Sequence, residues 1–169
     1  MSLYYGRSDH PDVRARRQRQ PENLNAEAAA VTTSLYRAAQ QLRLQAEREV
    51  LTSRGLSWTT FSMLYDLWMF GAMETSELAA SAGVSKATVS NAMKTLEKHA
   101  YCVRRRDVRD RRRTFVELTE TGTETIASVL PAFHEVEKQF ASPLTGEEQE
   151  ILAGLLTRLG QDAHGRRME

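Results

Sequence analysis

The stretch Leu78-Ala79-Ala80-Ser81-Ala82-Gly83-Val84-Ser85-Lys86-Ala87-Thr88-Val89-Ser90 holds the residues whose types and order point to a task. Ser85 stands before a periodic apolar run, where a hydroxyl satisfies free amides at a helix start. Gly83 permits a sharp turn, because glycine takes a positive φ without steric penalty. Ala79 is small enough for a second helix to cross it, and Val84 and Val89 anchor that helix inward. Lys86, Thr88, Ser90, Asn91 and Lys94 are left on its outer faces. All can bond to base edges or phosphates. Ser85 sits at the positive end of the helix dipole, which favours a phosphate. An ordinary tight helical pair is the rival reading, and the exposed residue types favour DNA.

A run of arginines follows. Arg104, Arg105 and Arg106 climb one expected strand, and Arg109, Arg111, Arg112 and Arg113 surround a polar tip that also carries Asp107 and Asp110. A two-stranded wing of this kind, beside a recognition helix, reaches the neighbouring minor groove, whose narrow A·T-rich form attracts arginine. The aspartates either hold arginine side chains in one rotamer or reduce their mutual repulsion. Net charge over all 169 residues is only +1, yet residues 1–20 carry +3, 101–113 carry +5 and 114–165 carry −7. Such asymmetry bears on nucleic-acid binding more than the total does.

Other chemistries find little support. One cysteine excludes an intramolecular disulfide framework. Arg104 to Arg106 would favour a reactive thiolate at Cys102, but a lone cysteine opening a strand is more often a small core residue. His99 and Cys102 supply two ligands, which make no metal site. No nucleophile–base pair, P-loop or carboxylate couple stands out, so an enzyme, a metal and a cofactor are not expected. Apolar runs fall far short of the ~20 residues that cross a bilayer. Met1 to Tyr5 lack the apolar core of a secretory signal, so no membrane partner and a cytoplasmic location are expected.

The elements that must position these residues follow from periodicity. Residues 1–22 show no apolar period and are expected to form a flexible basic arm. A helix capped by Asn23 or Asn25 should run to about Leu51 and end at Gly55. Ser57 should start the next, Thr75 should cap a short third, and Ser85 the fourth. Tyr101–Arg106 and Arg113–Leu118 should pair as strands. Thr119 should open a long helix that Pro131 bends, and Glu147 to Glu150 should begin the last. The fold class is mainly α with a small β-wing. Residues 23–56 are assigned to an N-terminal dimerisation helix, 57–118 to a winged helix-turn-helix DNA-binding lobe and 119–165 to C-terminal dimerisation helices. Leu35, Leu42, Phe133, Phe140, Ile151, Leu155 and Leu159 form more apolar stripe than the small lobe can cover, so a homodimer is expected. Two-fold symmetry then calls for a palindromic operator with half-sites about 10 bp apart.

Asp110-Arg111-Arg112 followed by Val116-Glu117-Leu118-Thr119-Glu120-Thr121-Gly122, in this order of elements, resembles the MarR family of winged-helix transcriptional regulators over about residues 25–160. The resemblance implies a homodimer in which the first and last two helices intertwine. It also implies that Asp110 pairs with Arg112, which enters the minor groove. Small, often phenolic effectors are expected to bind between dimerisation helices and lobe and release DNA, where Tyr36, Trp58, Phe61, Tyr65 and Trp68 could line a pocket. The basic arm is longer than the family pattern, and Tyr101-Cys102 replaces the more common glycine and aliphatic residue. The expected function is a sequence-specific regulator of double-stranded DNA, a repressor released by a small ligand. Ser85, Lys86, Thr88, Ser90, Asn91 and Lys94 would contact DNA from the helix, and Arg105, Arg109, Asp110, Arg111 and Arg112 from the wing. The alternatives are a winged-helix protein–protein module and a redox-sensing regulator acting through Cys102.

Overall fold

A computed structural model describes residues 25–107, 110 and 113–165. The basic arm and the wing-tip residues Arg109, Arg111 and Arg112 therefore lie outside the described residues. The chain divides into two units, residues 1–40 and 41–169, with the boundary inside helix α1 (Ala26–Ala46). In the first unit Asn25 is the cap, its Oδ1 accepting from the Ala28 N–H at 2.8 Å. Val31, Leu35 and Tyr36 are exposed along this part of the helix.

In the second unit, the end of α1 passes into a π-helical turn, Glu47–Leu51, and a 3-10 turn, Thr52–Arg54, before Gly55 closes it at φ 67°. The helical extent matches the sequence pattern, but the winding changes at Glu47. The wider turn buries Val50 and Leu51 together with Ala46, and it leaves Glu47 Oε1 2.9 Å from the Trp58 N–H. That carboxylate thus satisfies an otherwise free amide at the start of α2 (Trp58–Phe70), alongside a capping box between Ser57 and Thr60.

Two residues, Met73–Glu74, form strand β1, which periodicity could not reveal. They pair with β3 (Thr114–Leu118), which in turn pairs with β2 (Cys102–Arg106), giving a three-stranded antiparallel sheet in the order β1-β3-β2. Between them lie α3 (Thr75–Ser81) and α4 (Lys86–Lys98). Thr75 does not cap α3. Glu74 occupies that position, in a reciprocal capping box with Glu77.

Helix α5 (Glu120–Ala141) starts at the expected Thr119 cap and runs as one helix through Pro131. Its buried stripe of Ile126, Val129, Phe133 and Val136 joins Leu51, Met63, Leu64, Leu78, Val89, Met93, Leu96 and Val116 in one core. In helix α6 (Gly146–Gly165), residues 146–161 are all exposed and none of them joins that core. No helix among the described residues is long and apolar enough to cross a membrane.

Candidate nucleic-acid interface

The turn between α3 and α4 is built from backbone bonds that the sequence dictates. Ala82 N–H donates to Leu78 O at 3.0 Å, and Val84 N–H donates to Ala79 O at 3.0 Å. Closing this loop requires Gly83 at φ 63°, a left-handed conformation that glycine alone adopts freely. Ser85, extended at ψ 155°, accepts from the Thr88 N–H at 3.1 Å, and the two hydroxyls lie 2.9 Å apart. Val89, Ala92, Met93 and Leu96 then point into the core, and Val84 packs half-buried against it. Ser85, Lys86, Thr88, Ser90, Asn91 and Lys94 are all exposed, as the period of α4 predicts.

The wing carries its arginines differently from the sequence expectation. In the β2–β3 register Val103 faces Glu117 and Arg105 faces Phe115. Arg105 therefore lies diagonal to Glu117 on one sheet face, and Arg105 Nε meets the carboxylate at 2.5 Å. Arg104 turns to α4 and pairs with Glu97 at 3.1 Å. Arg113 pairs with Glu74 and lies over the Phe115 ring, 5.2 Å from its centroid. Asp107 Oδ1 accepts from the Asp110 N–H at 3.0 Å, while Arg113 N–H donates to Asp110 O at 2.9 Å. Both aspartates thus shape the hairpin tip. The expected Asp110–Arg112 pair involves a residue outside the described ones. Glu74, Glu97 and Glu117 were missed because only the register and the packing of α3 and α4 bring them to the arginines.

Two grooves flank α4. One, about 370 Å³, opens between the start of α2 and Thr88, Asn91 and Thr95. The other, about 170 Å³, lies between Lys86, Ser90 and Met93 on one side and Arg104, Thr114 and Thr75 on the other. Neither is lined by the rings expected to hold an effector. Those rings contact one another instead: Trp58, Tyr65 and Phe133 lie around Phe61 at centroid distances of 6.2, 6.2 and 4.5 Å, and Trp68 lies 6.2 Å from Tyr65. Phe61 is core, whereas Tyr65 and Trp68 are exposed. Phe133 belongs to this cluster, although its spacing marks it only as part of the stripe of α5. Tyr36 lies in the first unit, its hydroxyl accepting from Gln40 at 3.1 Å.

Cys102 departs from the redox expectation. Its thiol is buried in the core, and burial, aided by the nearby Glu97 charge, pushes its pKa up to about 12. The arginines do not favour a thiolate, because Arg104 is already neutralised by that same Glu97. A redox-sensing role through Cys102 loses its physical basis. No group of three His, Cys, Asp or Glu side chains among the described residues could hold a metal ion.

Comparison with known proteins accords with this geometry. The family model for the MarR family matches residues 56–114, from the end of the α1–α2 turn into β3. Over 158 residues the chain is 44% identical to the uncharacterized HTH-type transcriptional regulator YwaE of Bacillus subtilis, covering 94% of this chain and 92% of that one. It is 31% identical over 135 residues to the transcriptional repressor MprA of Escherichia coli, covering 76% and 77%. The crystal structure of Sco3205, a MarR family transcriptional regulator from Streptomyces coelicolor in complex with DNA, superposes with a TM-score of 0.74 at 25% identity, over 85% of this chain and 92% of that one. The family and these relatives are transcriptional regulators rather than enzymes. With a helix-turn-helix and wing in place and near-full-length identity of this order, the chain belongs to the MarR family of DNA-binding transcriptional regulators.

Proposed function

We propose that this regulator is a cytoplasmic homodimeric repressor, which reads a palindromic operator and is released by a small aromatic or phenolic ligand. The observation that carries the reading is the polar face of α4, where Ser85, Lys86, Thr88, Ser90, Asn91 and Lys94 are exposed beside an arginine-bearing wing. In the proposal these side chains meet the major groove, and Arg112, with Arg105, Arg109, Asp110 and Arg111 around it, serves the minor groove. The similarity to MprA, named a repressor, and to Sco3205, solved with DNA, supports the direction of control and the partner.

Residues 23–56 and 119–165 would form the dimerisation region, and residues 57–118 the DNA-binding lobe. Support comes from α6, where Ile151, Leu152, Leu155, Leu156 and Leu159 are exposed as a stripe that a second copy would cover. Trp58, Phe61, Tyr65 and Trp68, all in the second unit, are proposed to line the effector pocket. A ligand favouring one spacing of the two recognition helices would lower DNA affinity by the factor by which DNA lowers its own, since the coupling is reciprocal.

Selection of duplexes from a random pool tests this. The expected result is a palindrome with half-sites about 10 bp apart. Arg112→Ala should weaken its binding and flatten the salt dependence, the slope falling by about 0.9 for each phosphate no longer neutralised. A panel of phenolics should release the duplex. Enrichment of no palindrome would favour a protein–protein module, and an unchanged affinity and slope for Arg112→Ala would remove the wing assignment.

A further inference from the structure

Glu74 is engaged by four partners. Its backbone lies in β1 opposite Phe115 of β3. Its N–H donates to Glu77 Oε2 at 2.7 Å, and its side chain accepts from the Glu77 N–H, closing the start of α3. Its Oε2 also accepts from the Ser76 hydroxyl at 3.2 Å, and its Oε1 is approached by both Nε and Nη2 of Arg113. The Arg113 guanidinium also lies over Phe115, a cation–π placement that further restricts it. The Glu74 side chain is 20% exposed and that of Arg113 is 51% exposed, so the carboxylate is the less hydrated partner. Hydrogen bonding and charge from Glu74 raise the Arg113 pKa above its ordinary value.

The capping box and the strand pairing are complete without the arginine. What Arg113 adds is a tie between the turn end of the wing, just before Thr114, and the first helix of the helix-turn-helix. We infer that Glu74 and Arg113 form a positioning pair, which fixes the wing against the helix-turn-helix and withholds the Arg113 guanidinium from DNA phosphate. The inference rests on α4 and the wing being the DNA-contacting surface. Residues 101–113 hold seven arginines. A wing free to swing could place them on phosphates of any sequence, whereas a fixed wing presents its tip in one register, which favours specific over non-specific binding.

The test uses the full chain, a random-sequence duplex and the duplex selected by the wild type, with salt varied between about 50 and 200 mM. Glu74→Gln keeps an oxygen for the cap and removes the charge. On the random duplex it should steepen the log K against log salt slope by about 0.9 and raise affinity by up to about eightfold at 0.1 M salt, the effect of one further neutralised phosphate. On the selected duplex no such gain is expected, so the ratio of the two affinities falls. Arg113→Gln should leave both slopes unchanged while lowering that ratio, and the double variant should match Arg113→Gln. A flattening by about 0.9 in Arg113→Gln would mean that Arg113 already touches phosphate, and would overturn the inference. So would Glu74→Gln with wild-type slope and ratio. Failure of the wild type to bind either duplex would instead remove the DNA surface itself.

Discussion

Gly122 sits in the first turn of α5, and a Cβ built on it would lie 2.0 Å from Tyr101 O and 2.9 Å from Tyr101 C. Both are backbone atoms, so no rotamer change relieves the clash. Reaching even a tight approach requires a shift of about an ångström between α5 and the start of β2. That same carbonyl accepts from the Thr119 N–H at 3.0 Å, and Thr119 Oγ1 donates to Ala100 O at 2.5 Å. Gly122→Ala should therefore carry an overpacking cost of about 1–3 kcal/mol, plus about 1 kcal/mol for each of the two bonds displaced. Better helix propensity returns roughly 1 kcal/mol. The net loss is about 3 kcal/mol, or roughly 6–12 °C in Tm for a chain of this size. Calorimetry at fixed protomer concentration reads it, because Tm in an associating protein depends on concentration. Gly83→Ala provides the comparison: nothing lies within 4 Å of its Cβ, so only the left-handed backbone penalty of about 1–2 kcal/mol applies. A Gly122→Ala melt no lower than that of Gly83→Ala would refute the close-approach reasoning.

Val89 is 1% exposed at the centre of the core, and Val89→Asp should abolish the cooperative melt of the lobe by burying an unpaired charge; a normal transition in calorimetry would contradict the packing. The Cys102 pKa is raised in the folded state to about 12. The native thiol therefore keeps its proton while the unfolded one loses it, and the contribution is full below the unfolded value and lost as pH rises toward 12. Urea titrations should show an alkaline loss of stability that is smaller in Cys102→Ala, and iodoacetamide should label native protein far more slowly than denatured protein at pH 8. Rapid native labelling would place the thiol outside the core. Leu155 is 47% exposed in a helix that buries none of its described residues. Leu155→Glu should shift sedimentation toward the monomer and weaken operator binding, and a retained dimer would place the interface elsewhere.

Helix α4 was legible because three independent signals coincide there. Ser85 is the right cap, Gly83 is at the turn, and Val89, Met93 and Leu96 recur on one face. At α3 two signals compete. Thr75 is the better capping type, yet the chain caps with Glu74, because pairing of Met73 and Glu74 with Val116 and Phe115 fixes the backbone there. A two-residue strand has no period, so neither the strand nor its effect on the cap could be read. The π turn at Glu47–Leu51 was hidden for a related reason: its residues fit an α-helix equally well, and the capping bond to Trp58 spans 11 positions. In the run from Thr119 to Gly122, family resemblance marked the residues, and the Tyr101 carbonyl gives the reason for the glycine.

The arginines show where charge counting along a sequence misleads. Residues 101–113 carry +5, which reads as a strong phosphate-binding segment. Yet Arg104, Arg105 and Arg113 each meet a carboxylate, from α4, β3 and β1 respectively. Taken with those carboxylates, the segment keeps less than half of its formal charge, and the pairs run along the strands as far as Arg113, where the turn begins. These exposed pairs add little to stability. Their consequence is competitive, since an arginine beside a carboxylate must give up that contact before it can neutralise a DNA phosphate. The salt dependence of binding should then count fewer phosphates than the run of arginines suggests, and those that remain belong to α4 and the hairpin tip. That division suits a regulator which must reject most sequences, because unspecific attraction from a fully free wing would raise affinity for all DNA alike.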